Sequence, residues 1–155
     1  MKKCIICDLD GVYVDSSKWT PYIPQDRDDR EGWDLFASHV SACTPNLALI
    51  RILKVLSLFF PIIFITSREG SVALKKGTEA QIDVFSNNWI HIGSKHKLFM
   101  RPYKDYRDAW QVKRDIMIRD VLPYYEPIIA IDDEIDNILM YKSLGLKTWH
   151  YTKFC

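Results

Sequence analysis

The chain has 155 residues, a formal net charge of +1 and 48% hydrophobic residues, which predicts one compact domain with a single core. Its most apolar stretch, residues 50–65, contains Arg51, Lys54 and Pro61, so no segment is apolar for long enough to cross a bilayer. The amino terminus has too few apolar residues for a signal peptide, and we therefore expect a cytoplasmic protein without a membrane partner.

The first predicted element is a buried strand over residues 4–9 that ends in acidic residues. Asp8 and Asp10 are two positions apart, so an extended chain places both carboxylates on one face, and Gly11 allows a sharp turn after them. Open α/β sheets bind their ligands at this end of a strand. Neighbouring carboxylates repel unless a cation lies between them or one is protonated. This segment predicts a magnesium site, with an inert Asp-Gly turn as the alternative.

Cys4 and Cys7 have the spacing of a redox or zinc motif. An odd separation in a strand sends the two side chains to opposite faces, so neither a disulfide nor a shared metal fits. We interpret both as buried thiols that pack as small hydrophobic residues.

Most of the remaining chain alternates between predicted helices and strands. Residues 15–45 are polar and irregular, and we interpret them as an insertion with a short helix near 32–36 that forms a small cap or lid; a solvated helix is the alternative. The elements after it are a helix from Leu47 capped by Asn46, a strand over 62–65, a helix over 70–85, a strand over 98–100, a helix over 109–122, a strand over 128–131, a helix from Ile135 and a strand over 147–151. This alternation predicts an α/β fold with a mainly parallel sheet.

The second predicted strand ends in groups that can hold a phosphate. Thr66 can donate a hydrogen bond, the amide of Ser67 another, and Arg68 can engage two oxygens in a fork. The helix that begins near Gly70 would add the positive end of its dipole. A helix cap with an exposed arginine is the alternative for this segment in isolation.

Three basic residues follow at or near the same edge of the predicted sheet. Lys113 lies on a helix that would start at this edge, where an ammonium can keep an aspartate ionised and neutralise a phosphate. Arg101 and Arg107 precede it among tyrosines, and such a cluster can contact a nucleic-acid backbone or stack a base. A solvated lysine and a polar loop are the alternatives.

A second buried strand ends in Asp132 and Asp133. Together with the first pair, four aspartates at two strand ends form the oxygen-only set that suits magnesium better than zinc. His91 and His96 lack a second pair of ligands at suitable spacing, so we reject a histidine metal site. The chain also contains no P-loop motif, which excludes a kinase of that type.

Four segments occur in the order of the four motifs of the haloacid dehalogenase superfamily: Asp8-Leu9-Asp10-Gly11, the strand end at Thr66, Lys113, and Asp132-Asp133. More narrowly, residues 66–69, 99–107, 112–114, 131–133 and 143–145 resemble the 3′-phosphatase domain of bacteriophage polynucleotide kinases and their stand-alone relatives. The resemblance covers nearly the whole chain. It implies a Rossmann-like sheet with helices on both faces and a small or minimal cap, in a single domain over residues 1–155.

The resemblance also implies roles for individual residues. Asp8 would attack phosphorus to form an aspartyl-phosphate, and Asp10 would protonate the leaving oxygen and then activate water. Thr66 and Arg68 would hold the phosphoryl oxygens, and Lys113 would pair with Asp8 and the phosphate.

The resemblance also implies a magnesium cofactor. Asp132 and Asp8 would bind Mg²⁺, the main-chain carbonyl of Asp10 would be a further ligand, and Asp133 would support the site through water or Lys113. The substrate would be a phosphorylated nucleic-acid end or a nucleotide.

Three other functions are weighed against a 3′-phosphatase. A 5′-nucleotidase acting on free mononucleotides has similar motifs. A receiver-like phospho-acceptor domain also uses aspartates, a threonine and a lysine, but its acidic pair lies on the first strand and its acceptor on a middle one. A non-catalytic nucleic-acid-binding relative would gain no general electrostatic attraction from a charge near zero.

Overall fold

A five-stranded parallel sheet forms the centre of the computed structural model, which describes residues 1–18, 20–22, 24–26, 29, 31, 32, 35 and 42–152. In chain order the strands of the described residues are β1 (Lys2–Cys7), β2 (Val14–Asp15), β3 (Thr44–Pro45), β4 (Ile62–Glu69), β5 (Lys97–Arg101), β6 (Tyr125–Asp132) and β7 (Thr148–His150). The large sheet has the order β5-β4-β1-β6-β7, while β2 and β3 form a separate antiparallel pair. The predicted α/β class with a parallel sheet is therefore confirmed.

Four α-helices of the described residues cover the two faces of the sheet. They are α1 (Leu47–Ser57), α2 (Val72–Phe85), α3 (Ala109–Ile116) and α4 (Ile135–Ser143). Buried residues of α1 and α2 pack in one apolar cluster, and those of α3 and α4 pack in a second cluster on the opposite face. Because β1 lies in the middle of the sheet, both faces of its carboxyl-terminal half are covered by helices.

The two cysteines of β1 have their side chains on opposite faces of the sheet. Cys7 packs in the cluster of α1 and α2, whereas Cys4 packs in the cluster of α3 and α4. Both thiols are buried and free. The prediction that the odd spacing separates them is confirmed, and they contribute apolar packing to two different cores.

Several element boundaries differ from those predicted. The strand predicted over 62–65 continues to Glu69, with an irregular register between Thr66 and Glu69 where it pairs with β5. The helix predicted over 109–122 is α-helical only to Ile116, and residues 117–121 continue as a π-helix. The predicted cap of α1 is present, since the side chain of Asn46 accepts a hydrogen bond from the backbone of Leu49.

The insertion around 15–45 is described only in part. The strands β2 and β3 lie at the two ends of this insertion and pair with each other. A 3₁₀ turn spans Thr20–Tyr22. The helix predicted near 32–36 falls mostly outside the described residues. No described helix is both long and apolar enough to cross a membrane.

Candidate active site

Asp8 and Asp132 meet because the two strands that carry them are neighbours. In the β1–β6 register Cys7 is opposite Ile131, and the backbone N–H of Asp8 donates to the carbonyl of Ile131 at 2.9 Å. Asp8 thus directly follows β1 and Asp132 is the last residue of β6, at the same level of the carboxyl edge of the sheet. Asp8 is 5% exposed and Asp132 is fully buried. Two carboxylates this deeply buried require compensating charge or a proton.

A third carboxylate completes a group of potential metal ligands. Oxygen atoms of Asp8, Asp132 and Asp133 all lie within 4.8 Å of one another. This all-oxygen donor set suits a hard cation such as Mg²⁺. Of the four aspartates predicted to bind metal, the side chain of Asp10 is the one that the structure places outside this group.

Lys113 provides the positive charge in this pocket. Its Nζ atom lies 3.0 Å from Oδ1 of Asp8 and donates a 2.7 Å hydrogen bond to Oδ2 of Asp132. The lysine is 1% exposed and projects from α3, which starts at the same edge of the sheet. The predicted pairing with Asp8 is present in the structure, and the bond to Asp132 is an additional one.

The pocket holds more negative than positive charge. Asp8, Asp132 and Asp133 supply three carboxylates against one ammonium from Lys113. Burial and the nearby charge of Asp132 raise the pKa of Asp8 well above its usual range. Burial and the same neighbour raise the pKa of Asp133 to about 6. Burial alone would lower the pKa of Lys113, but the carboxylates of Asp8 and Asp132 raise it. With all groups ionised, the excess of two negative charges matches one divalent cation.

Asp10 is paired with Arg68 instead of facing the other carboxylates. The Nε atom of Arg68 donates to Oδ2 of Asp10 at 2.8 Å, and its Nη2 atom donates to Oδ1 at 2.7 Å. The sequence predicts that this fork holds two phosphoryl oxygens. The structure places it on Asp10 because the extension of β4 through Arg68 brings the guanidinium beside the loop that follows β1.

Thr66 and Ser67 lie beside this pair at the end of β4. Thr66 is buried, and its hydroxyl oxygen accepts a hydrogen bond from the backbone N–H of Arg68 at 3.2 Å. A hydroxyl that accepts one bond keeps its hydrogen for a donor role. Ser67 is half-buried, and its carbonyl accepts a hydrogen bond from Arg101. Both residues therefore lie at the end of β4, and their binding of a phosphate stays a prediction.

Asn137, which was not predicted from the sequence, contacts the metal-ligand group. Its Nδ2 atom donates to Oδ1 of Asp132 at 2.9 Å and to Glu134 at 3.1 Å, and the backbone N–H of Glu134 donates to the same oxygen of Asp132. These bonds occupy Oδ1 and turn Oδ2 toward Lys113. Asn137 is 1% exposed in the first turn of α4. A buried polar residue one helical turn after an acidic strand end was the signal that could have identified it.

Gly11 allows Asp133 to approach the loop after β1. A Cβ atom at position 11 would lie 1.9 Å from Oδ2 of Asp133, and the glycine has a φ of +80°. Both the contact and the backbone conformation therefore exclude a side chain. The glycine predicted only to turn the chain also makes room for a predicted metal ligand.

Arg101 and Arg107 shape the loop between β5 and α3. Arg101 donates to the carbonyls of Ser67, Asp105 and Arg107. Arg107 is half-exposed and forms ion pairs with Asp105 and Asp115. Arg101 thus fastens this loop to β4, whereas Arg107 lies at the surface. Tyr103 and Tyr106 are exposed beside it.

Two solved structures resemble this chain throughout its length. One is described as the structure of the Pnkp1/Rnl/Hen1 RNA repair complex, with 21% identity and a TM-score of 0.76 over 97% of this chain and 42% of the other chain. The other is described as the structure of the Pnkp1/Rnl/Hen1 complex, with 22% identity and a TM-score of 0.72 over 99% of this chain and 48% of the other. The chain therefore spans less than half the length of these relatives. At such identities the likeness establishes the fold.

The family is established by the sequence itself. None of the curated protein sequences compared with the chain matches it significantly. The family model described as the polynucleotide kinase PNKP phosphatase domain, of the haloacid dehalogenase type, matches residues 2–153. Phosphatases of that type typically use Mg²⁺, and the group of three aspartates could bind one ion. The chain belongs to this family of phosphatase domains and is a phosphatase, as the resemblance implied.

Proposed function

We propose that the chain is a Mg²⁺-dependent phosphomonoesterase that removes a 3′-phosphate from nucleic acid or a nucleotide through an aspartyl-phosphate intermediate. The observation that carries the proposal is the group of Asp8, Asp132 and Asp133, of which Asp8 and Asp132 are buried and paired with the ammonium of Lys113. With every group ionised its excess of negative charge suits a cation, and the proposed reaction needs a carboxylate nucleophile beside one.

The first step transfers the phosphoryl group to the enzyme. A carboxylate oxygen of Asp8 attacks phosphorus, and the bond between phosphorus and the 3′ oxygen breaks. Asp10 gives its proton to the departing oxygen, which leaves as a hydroxyl group. Lys113 neutralises charge on Asp8 and on the phosphoryl oxygens, and Thr66 with the amide of Ser67 donates hydrogen bonds to those oxygens.

The second step releases inorganic phosphate. Asp10, now ionised, removes a proton from a water molecule, and the resulting hydroxide attacks phosphorus. The bond between phosphorus and Asp8 breaks, which restores the Asp8 carboxylate. Because Asp10 serves as acid and then as base, its position must be the same in both steps. The pairing with Arg68 holds it in that position: both oxygens accept a hydrogen bond in the ionised form, and in the acid form one oxygen carries the transferable proton while the other keeps its bond to the guanidinium.

The residues present fit a magnesium ion. The donor set is all oxygen, Asp8 and Asp132 are buried, and with every group ionised one divalent cation would neutralise its excess of two negative charges. Asp8 and Asp132 would hold the ion directly, with the main-chain carbonyl of Asp10 as a further ligand and Asp133 supporting through water. When bound, Mg²⁺ neutralises the phosphate and the attacking carboxylate.

A phosphorylated RNA or DNA end is the substrate class that the comparisons favour. The family model is that of a polynucleotide kinase phosphatase domain, and similar structures come from an RNA repair complex. The exposed Tyr103 and Tyr106 could stack bases, and the half-exposed Arg107 and the neighbouring Arg101 could contact a phosphate backbone. A 5′-nucleotidase that acts on free mononucleotides is the second candidate, since the catalytic groups alone do not select between these esters.

The remaining parts of the proposal concern organisation and compartment. Residues 1–155 would form one phosphatase domain, with the insertion around 15–45 as a small cap beside the pocket. The buried free thiols Cys4 and Cys7 suit a reducing compartment and hence a cytoplasmic location.

The test is a comparison of phosphate release from three kinds of monoester, with and without Mg²⁺. The substrates are a 3′-phosphorylated oligonucleotide, a 5′-phosphorylated oligonucleotide and nucleoside monophosphates. We expect Mg²⁺-dependent release from the 3′-phosphorylated oligonucleotide at the highest kcat/KM. A preference for free 5′-mononucleotides would favour the nucleotidase, and inactivity toward all of them would refute the nucleotide assignment.

A further inference from the structure

The guanidinium of Arg68 is held from two sides. One side faces Asp10 through Nε and Nη2, as described above. On the other side, Nη1 donates to Oε1 of Gln81 at 2.8 Å and to Oγ1 of Thr78 at 3.3 Å. The arginine side chain is 3% exposed. Its orientation is therefore set by protein groups and not by solvent.

Thr78 and Gln81 are polar residues on the buried face of α2. They are three positions apart, which places them side by side on one face of the helix, and they are 1% and 9% exposed. The next residue, Ile82, is part of the apolar cluster on this side of the sheet. Burying a hydroxyl and an amide among apolar groups is costly unless they are hydrogen-bonded. Here both are bonded to the same guanidinium nitrogen.

We propose that Gln81 and Thr78 are positioning residues that hold the acid–base carboxylate of Asp10 in place through Arg68. They fix the plane of the guanidinium, and its fork then fixes both oxygens of Asp10. The inference rests on the proposed function, because it assigns Asp10 to proton transfer. It predicts that α2, which contributes no residue to the phosphate or metal site, controls the protonation of the leaving group.

The two catalytic steps allow this role to be separated from a purely structural one. An oligonucleotide 3′ oxygen needs a proton in order to leave, whereas p-nitrophenolate leaves without one. Attack by Asp8 on p-nitrophenyl phosphate should therefore not depend on Asp10. Hydrolysis of the aspartyl-phosphate depends on Asp10 with either substrate.

The experiment compares the double variant Thr78→Val, Gln81→Met with the wild type on both substrates, in the presence of Mg²⁺. We expect kcat for the 3′-phosphorylated oligonucleotide to fall by about 10- to 100-fold, which is less than the full contribution of about 10²–10⁴-fold from general acid–base catalysis because Asp10 itself is retained. With p-nitrophenyl phosphate we expect a burst of one p-nitrophenolate per active site at the wild-type rate, followed by slow turnover. Thr78→Ser, which keeps the hydroxyl, should stay close to wild type.

Lys76→Gln is the matched control, because Lys76 is an exposed residue of the same helix. Circular dichroism and the midpoint of thermal unfolding establish that each variant is folded. If the double variant does not fold, the single variants Thr78→Val and Gln81→Met are measured in its place.

The outcomes distinguish this inference from the proposed function. An equal loss of burst rate and oligonucleotide turnover would overturn the inference, since it would show a general distortion that includes Asp8. Unchanged turnover of both substrates would overturn it as well. A wild-type chain without phosphatase activity on either substrate would instead refute the proposed function, and the inference with it.

Discussion

Lys113 joins the ends of two neighbouring strands, with its ammonium nitrogen 3.0 Å from Asp8 and 2.7 Å from Asp132. Both carboxylates are buried, so each depends on this one cation for its charge balance within the described residues. The pair of bonds links the proposed nucleophile to the proposed metal ligand. One side chain on α3 thus contacts the carboxylates at the ends of both β1 and β6.

Replacing Lys113 with methionine should remove activity and lower stability together. The substitution leaves two buried carboxylates without their ammonium, and breaking a buried ion pair by removing one partner costs about 3–5 kcal/mol. Urea denaturation gives the free energy of unfolding, and phosphate release gives the activity. Lys142→Met, at an exposed position of α4, is the control for loss of charge. A fully stable Lys113→Met variant would show that the pairing contributes little to the folded state.

Gly11→Ala should weaken metal binding. The new Cβ atom would collide with the carboxylate of Asp133, and the residue would be strained at a φ of +80°. We expect the affinity for Mg²⁺, measured by isothermal titration calorimetry, to fall by about 10-fold or more, in the range found when groups that support metal ligands are altered.

Gly77→Ala is the matched control for that substitution. A Cβ atom at position 77, within α2, would meet nothing within 4 Å. Alanine in a helix interior is more favourable than glycine by about 0.5–1 kcal/mol, so this variant should be slightly more stable than wild type. Equal Mg²⁺ affinity in both variants and the wild type would contradict the proposed position of Asp133 at the metal.

His96 should make the stability of the protein depend on pH. Its Nδ1 atom accepts a hydrogen bond from the backbone N–H of Ile62 at 3.0 Å, which requires a neutral ring. Burial, with added repulsion from Lys95 and Lys2, lowers its pKa to about 4. Between this pKa and the ordinary value near 6.5 the unfolded chain binds more protons, so stability decreases as the pH falls through that window. The loss from pH 7 to pH 5 should be about 2 kcal/mol.

The contribution of His96 is measured as a difference from His96→Asn. Asparagine can still accept the hydrogen bond through its side-chain oxygen but does not titrate. Urea denaturation at pH 7 and pH 5 should therefore show a smaller loss of stability in the variant. An identical loss in both proteins would assign the pH dependence to other groups.

Arg107→Gln tests the surface proposed to contact nucleic acid. Arg107 is half-exposed, and its ion pairs with Asp105 and Asp115 lie at the surface, so stability should change by no more than about 1 kcal/mol. If the Arg107 guanidinium contacts a phosphate, the variant should have a higher KM for a 3′-phosphorylated oligonucleotide. A plot of log KM against log salt concentration should also have a slope that is smaller by about one than the slope for the wild type. The kinetics with p-nitrophenyl phosphate should not change. An unchanged KM for the oligonucleotide would exclude Arg107 from the interface.

The sequence was sufficient to predict the five strands of the large sheet and the acidic residues at the ends of two of them, but not the short pair of β2 and β3. Asp8 and Asp132 follow continuous apolar runs, and in a parallel sheet such runs must end at a common edge, so their approach followed from topology. The same reasoning correctly separated Cys4 from Cys7. These predictions depended only on the period of a strand and on the direction of its neighbours.

Long-range pairings of side chains could not be predicted in the same way. Arg68 could equally have faced a substrate phosphate or a carboxylate, and the choice depends on how far β4 extends and on which acceptors α2 supplies. Thr78 and Gln81 looked like ordinary helical residues, because nothing local shows which face of a helix meets an arginine from another strand. Asn137 was missed because residues 135–140 were interpreted only as the start of a helix.

The central claim is that Asp8 carries the phosphoryl group in a magnesium-dependent reaction. The most direct test incubates the wild type and Asp8→Asn with an oligonucleotide that carries a radiolabelled 3′-phosphate, and quenches the reaction with acid during turnover. We predict label on the wild-type peptide that contains Asp8, only when Mg²⁺ is present, and neither label nor phosphate release with the variant. Turnover by Asp8→Asn at a rate near that of the wild type would contradict the account.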